Sequence, residues 1–289
     1  GYMYYFSGWD KPYWYKYDID EQTWTEMPEV PTPVGYGGTV SLVNNKLYLL
    51  RGANTNLFYK YDLNKNTWFV PTVGLFGTWY RGTNSRNYGS GADIVKGDGE
   101  NYYILRGNYD NTLARYNSTT GEMESLADAP AGFYDGTEMT YDSVRNKLFV
   151  TGSNYFNRLF SYDITTNSWS EAVGSSMPTD SGAGTAIAFD GGNSIYRIRG
   201  ATTTTFDKYN ILTGLWSTLP AAPGTMGYGG DMVIRNDYAY VVRGNGTTSF
   251  YRFGPLSVGG TWSDAAVTDL PTNQTIGQDG FLVDVGNDN

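Results

Sequence analysis

Cysteine and histidine are both absent from this 289-residue chain. Their absence removes disulfides, thiol nucleophiles, imidazole general bases and the usual ligands of zinc, copper and iron. It does not fix the compartment, because secreted proteins also lack disulfides. Basic residues are few: 20 Lys and Arg stand against 29 Asp and Glu, for a net charge of −9. That balance argues against a nucleic-acid partner, since phosphate binding needs clustered cations. No apolar run approaches the roughly 18–20 residues of a membrane span, so membrane insertion is not expected. No signal peptide is visible, although a chain that opens at Gly1 instead of Met looks trimmed or excised.

Tyrosine and glycine, by contrast, are abundant, with 26 and 37 copies, as suits many short strands joined by tight turns. They are also periodic. Six apolar segments end at Gly8, Gly52, Gly107, Gly152, Gly200 and Gly244. An aromatic follows each one at a near-constant distance: Tyr17, Tyr61, Tyr116, Tyr162, Tyr209 or Phe253. A tryptophan comes next in five units, Trp24, Trp68, Trp169, Trp216 and Trp262, with Met123 in its place in the third. Each unit of about 45 residues divides into four strand-like segments, the signature of a propeller blade.

In the second unit, Gly35–Val43 reads as the first strand, Asn44-Asn45 as a hairpin turn, and Lys46–Gly52 as the second strand. Leu57–Asp62 is the third, and the fourth contains Trp68. The large aromatics should lie between neighbouring sheets. The chain begins on a second-type strand, Tyr2–Gly8, and ends on a first-type strand, Gly280–Val285. The expectation is therefore one all-β domain over residues 1–289, a six-bladed β-propeller of four-stranded blades. About 277–289 plus 1–30 should form the closing blade, hiding edges that would otherwise template aggregation.

These residues resemble the kelch-repeat family, whose blades carry a strand ending in Gly-Gly followed by a spaced Tyr and Trp. The resemblance covers essentially the whole chain, with one systematic departure. The first Gly of the pair is Arg51, Arg106, Arg199 and Arg243 in four units, and Ser7 and Thr151 in the others. The family specifies a fold far more than a function, since it includes oxidases, epimerases and binding modules. A galactose-oxidase-like copper site is excluded here for want of His and Cys. A sialidase would need Asp boxes, which are missing. A kelch-type sialic-acid mutarotase shares the fold and blade number, but no motif singles it out.

In such blades the loops from strand 2 to strand 3, and those entering strand 1, should share one face, where binding residues collect. Three groups of candidates fall there. The four arginines could form a basic collar for carboxylate, sulfate or phosphate, or could staple the ring by pairing locally. The aromatics Trp9, Trp79, Tyr80, Tyr155 and Tyr228 could be platforms for sugar rings or anchors for a protein, or could cap the sheet ends. Of the acids near the mouth, Asp135, Asp279 and Asp231 flank the glycines of the first strand. Two carboxylates at the right separation could cleave glycosides, and a cluster could bind calcium, although no EF-hand spacing is present.

The favoured reading is a noncatalytic module of an extracellular or cell-surface protein, needing no cofactor, that recognises a glycan or a protein partner. An enzyme acting on acidic sugars is the first alternative. A self-assembling subunit of a surface layer, filament or viral fibre is the second.

Overall fold

The computed structural model describes residues 1–70, 87–152, 157–271 and 280–284. Six antiparallel sheets of four strands make up the chain. Blade 1 takes Phe281–Asp284, Tyr2–Phe6, Trp14–Asp18 and Thr23–Glu26, from the inside outward. Blade 2 is Thr39–Val43, Lys46–Leu50, Phe58–Asp62 and Thr67–Phe69. The innermost strands of blades 3 to 6 are Ala92–Lys96, Met139–Asp142, Ala186–Phe189 and Asp231–Arg235. Each inner strand touches the inner strands on either side, and Phe281–Asp284 touches both Asp231–Arg235 and Thr39–Val43. The contacts close on themselves, so the sheets form a ring.

Closure comes from the two ends of the sequence. Phe281, Leu282, Val283 and Asp284 lie opposite Phe6, Tyr5, Tyr4 and Met3 in an antiparallel ladder. The last strand therefore covers an edge of the first that would otherwise be open to foreign pairing. The Asn44-Asn45 turn has positive φ at both residues, 47° and 57°, which matches the twist of its hairpin.

The repeated aromatics explain the period. Each outer Trp packs on the aromatic opposite it on the third strand, with ring centroids 4.7 Å apart for Tyr17–Trp24 and 5.1 Å for Phe253–Trp262. Four indole N–H groups then donate to the connection arriving from the preceding blade: Trp24 to Thr268 O, Trp68 to Pro28 O, Trp169 to Ala127 O and Trp262 to Pro220 O. Each pair thus fills the space between sheets and satisfies a backbone carbonyl. In blade 5 the indole N–H of Trp216 has no partner among the described residues, and the Arg197 guanidinium lies 5.1 Å over its ring instead.

The first strands are shorter than the sequence pattern implies. In blade 2 the strand starts at Thr39 and not at Gly35. Gly37 has φ of 70°, and a Cβ on it would lie 2.0 Å from the Gly89 carbonyl oxygen of the next blade. Residues 35–38 are thus a tight loop in which the backbones of adjacent blades meet.

Candidate functional site

The two kinds of loop expected to share a face are bridged to one another. Lys11 pairs with Val34, Thr55 with Tyr88, Asp110 with Phe133, and Thr203 with Met226. In each case the turn after strand 2 of one blade is tied to the segment entering strand 1 of the next. The turns themselves are unusual. Gly8-Trp9-Asp10, Gly52-Ala53-Asn54, Gly107-Asn108-Tyr109, Gly200-Ala201-Thr202 and Gly244-Asn245-Gly246 each have positive φ at three consecutive residues. A left-handed residue other than Gly costs about 1–2 kcal/mol, so these turns persist because they are over-determined. Four of them are held by the amide after the Gly, which donates to the entering loop: Ala53 to Tyr36 O, Asn108 to Ser90 O, Ala201 to Ala183 O and Asn245 to Tyr228 O.

This anchoring displays aromatic rings. Trp9 is 52% exposed, Tyr36 40%, Tyr109 64% and Tyr228 42%, whereas most of the chain's large aromatics are buried between sheets. Tyr109 stacks on Tyr134 with centroids 4.2 Å apart and planes 7° from parallel. Beside this pair runs a polar line: Asn108 Nδ2 donates to Asn54 Oδ1 at 2.8 Å, and Asn54 Nδ2 donates to the Tyr36 hydroxyl at 2.6 Å. The ridge crosses from blade 2 to the loop entering blade 4. Sequence reasoning missed its asparagines, because Asn in a turn reads as a backbone device.

Three of the four arginines act as staples through Nε. Arg51 Nε donates to Pro33 O, Arg199 Nε to Asp180 O and Arg243 Nε to Thr225 O, at 2.8, 2.9 and 3.1 Å. Each of these carbonyls lies in the segment entering the same blade. Arg106 holds the equivalent position in blade 3, where its charge partly offsets the rise that burial imposes on the Tyr88 hydroxyl. Where Arg is missing, Thr151 Oγ1 donates to Gly136 O of the entering segment, whereas Ser7 Oγ donates to Tyr13 O across its own strand 2–3 loop.

Below this rim the six inner strands enclose a cavity of about 490 Å³. The residue paired opposite the position two before the repeat Gly is Phe281, Thr39, Asp93, Met139, Ala186 and Asp231 in blades 1 to 6. Both aspartates reach the following blade: Asp93 accepts from the Met139 amide at 2.8 Å, and Asp231 from the Leu282 amide at 2.6 Å. Asp93 also accepts from Thr39 Oγ1 of the preceding blade.

Blade 4 carries one extra residue, since Gly136 stands three places before Met139 while Gly91 stands two before Asp93. The extra residue is Glu138, which lines the cavity, and its amide donates to Thr151 Oγ1. That acceptor role accounts for a hydroxyl where other blades have arginine.

Burial pushes all three carboxyls up: Asp93 to about 6, and Asp231 to about 7, where the Asp93 charge adds to the rise. Glu138 rises well above the usual carboxylate range, through burial first and then the charges of Asp93 and Asp231. Sequence reasoning overlooked Asp93 and Glu138, although a charge inside an otherwise apolar first strand was the available signal.

Asp135 lines the cavity near its mouth, where burial raises its carboxyl against a hydrogen bond from Ser90. Tyr228 lines it too. Trp79, Tyr80, Tyr155 and Asp279 lie outside the described residues. Among the described residues, no group of three or more Asp or Glu side chains is placed to hold a metal ion, and no helix is long and apolar enough to cross a membrane.

No protein-family profile matches the chain, and no curated protein matches it in sequence. In shape, 1190 chains of solved structures match, too broad a set to discriminate a function. One of them, described as "Structure of YjhT", superposes with a TM-score of 0.59 at 18% identity, covering 78% of this chain and 84% of that one. At that identity the likeness concerns the fold alone. The chain is a six-bladed β-propeller with a loop-rich face above a carboxylate-lined channel.

Proposed function

We propose that this propeller is a noncatalytic recognition module, built of kelch-like blades and working at a cell surface or outside the cell, that binds a glycan through its loop-rich face. One observation carries the reading: the exposed rings of Trp9, Tyr36, Tyr109 and Tyr228 all stand on bridged turns and loops of one face. Rigid, outward aromatics give flat apolar faces to sugar rings at little entropic cost. An anionic ligand held by an arginine collar has less support. Three of the four guanidinium groups already bind backbone, and the channel below carries Asp93, Asp135, Glu138 and Asp231.

The test is capture on a glycan array and on a protein array, with a Trp9→Ala, Tyr109→Ala, Tyr228→Ala triple variant beside a control. The control is Val144→Asp with Leu212→Asp, exposed residues in hairpin turns at the opposite ends of the strands. Glycan capture lost only in the triple variant is expected. Capture of proteins alone, or glycan capture that follows the control, would overturn the reading.

A second reading, an enzyme, has one observation in its favour: the Glu138 carboxyl lines the cavity, and burial keeps it protonated well above the usual range. Such a group could act as a general acid. Turnover of a captured glycan, abolished by Glu138→Gln, would favour this reading over simple binding.

A further inference from the structure

We infer that the ridge from Tyr36 to Tyr134 is built for a neutral oligosaccharide chain laid across the loops of blades 2, 3 and 4. The inference rests on the glycan-binding reading of this face and specifies its subsite and ligand class. The ridge is organised before any ligand arrives. Asn54 and Asn108 are locked to each other and to Tyr36, and Tyr109, next to Asn108, is stacked on Tyr134.

The order depends on a bare backbone beneath. A Cβ on Gly89 would lie 2.8 Å from Asn54 Oδ1 and 3.0 Å from Asn108 Cγ, so any larger residue would push the two amides out of their line.

The chemistry left open on the ridge fits sugar hydroxyls. Asn108 Oδ1 can still accept, each amide keeps a second N–H, and the Tyr36 hydroxyl can donate. Alternating donors and acceptors on a fixed line suit vicinal hydroxyls, each of which both donates and accepts. The stacked tyrosines offer a ring face at one end and Tyr36 offers one at the other. None of the five side chains carries a charge. The carboxyls of Asp93, Asp135, Glu138 and Asp231 line the cavity below the rim against one Lys, Lys96, and that excess of negative charge disfavours a uronate or a sialic acid. A ridge that runs over three blades suits several linked sugars better than one. Such pre-ordering lowers the entropic cost of binding, which is where weakly polar sugar ligands usually lose affinity.

Cellohexaose, mannohexaose and N-acetylchitohexaose are the neutral probes, with hexagalacturonate as the acidic one, titrated calorimetrically into the whole chain. The key variants are Asn54→Gly and Asn108→Gly, which delete the amides at positions whose φ, 53° and 59°, glycine adopts freely. Gly89→Ala is the third, and Leu212→Asp, in an exposed turn at the opposite end of the strands, is the control. A neutral hexasaccharide should bind, and each ridge variant should weaken it at least tenfold while Leu212→Asp changes it less than twofold.

Neutral binding that is insensitive to the ridge but lost with Trp9→Ala or Tyr228→Ala would overturn this inference and spare the glycan-binding reading. Preference for hexagalacturonate would do the same. No binding by any of the four sugars, with none on a wider array, would sink both.

Discussion

The carboxylate of Asp93, on the inner strand of blade 3, accepts a hydrogen bond from the Met139 amide on the inner strand of blade 4, 2.8 Å away. Asp231 and the Leu282 amide repeat the arrangement between blades 6 and 1. Side chains that would be expected to serve a ligand are therefore structural links between neighbouring sheets, and one of them holds the strand that closes the ring.

Burial of the two carboxyls, which outweighs the hydrogen bonds they accept, should make stability depend on pH in an unusual direction. A folded-state carboxyl raised above its unfolded value contributes stability that is complete below the unfolded value and lost as pH rises through the folded one. For Asp93 and Asp231 that window runs from about 4 to about 6 and 7. Taking Asp231 from pH 8 to pH 5 should add about 2–3 kcal/mol, because each tenfold difference in proton affinity between the folded and unfolded chain is worth about 1.4 kcal/mol. Scanning calorimetry at both pH values, on wild type and on Asp231→Asn, should show the acid-side gain reduced in the variant by several degrees. An equal response from both proteins would refute this role for Asp231.

Blade 5 contains a buried ion pair, Arg197 Nη2 to Asp207 Oδ2 at 2.5 Å, with both side chains almost completely enclosed. Removing one partner should cost about 3–5 kcal/mol, because the other charge is left without compensation. Replacing both with apolar residues should recover most of that loss. Urea denaturation of Arg197→Met, Asp207→Leu and the double variant checks the pattern. Single and double variants of equal stability would contradict it.

The outer tryptophans offer an internal comparison. Trp262 donates its indole N–H to Pro220 O at 2.8 Å, whereas the Trp216 N–H has no partner among the described residues. Trp262→Phe leaves a carbonyl unsatisfied and should cost about 1 kcal/mol more than the change in ring size does. Trp216→Phe relieves an unpaired donor and should be milder. Thermal midpoints of the two variants, measured side by side, decide the matter, and a larger loss for Trp216→Phe would refute it.

Crowding of backbone near the axis predicts a severe variant. A Cβ on Gly184 would sit 1.8 Å from the Gly227 carbonyl oxygen, and the residue has φ of 75°. Gly184→Ala should therefore lose more than about 2 kcal/mol from the left-handed conformation and the clash together. Gly191→Ala, with similar φ but nothing within 4 Å, should lose less. Circular dichroism melts of both variants provide the test.

The sequence by itself determined the ring. Six spaced units, each with a Gly and an aromatic and five with a following Trp, can bury their aromatic faces only against one another, and two half-complete termini can hide their edges only by pairing. It also placed Trp9, Tyr228 and the arginines on one face, since each follows from position within the repeat. What it could not decide was what each polar side chain does there. Nothing in the spacing separates Arg51 as a ligand from Arg51 as a staple on Pro33, or shows that Asp93 reaches the next blade. Those outcomes depend on which backbone groups, of the entering segment for Arg51 and of the next sheet for Asp93, fall within about 3 Å, a distance set only by the folded ring. The Asn54–Asn108 line has the same origin: two turns 54 residues apart in the chain become neighbours above Gly89 solely because adjacent blades meet there.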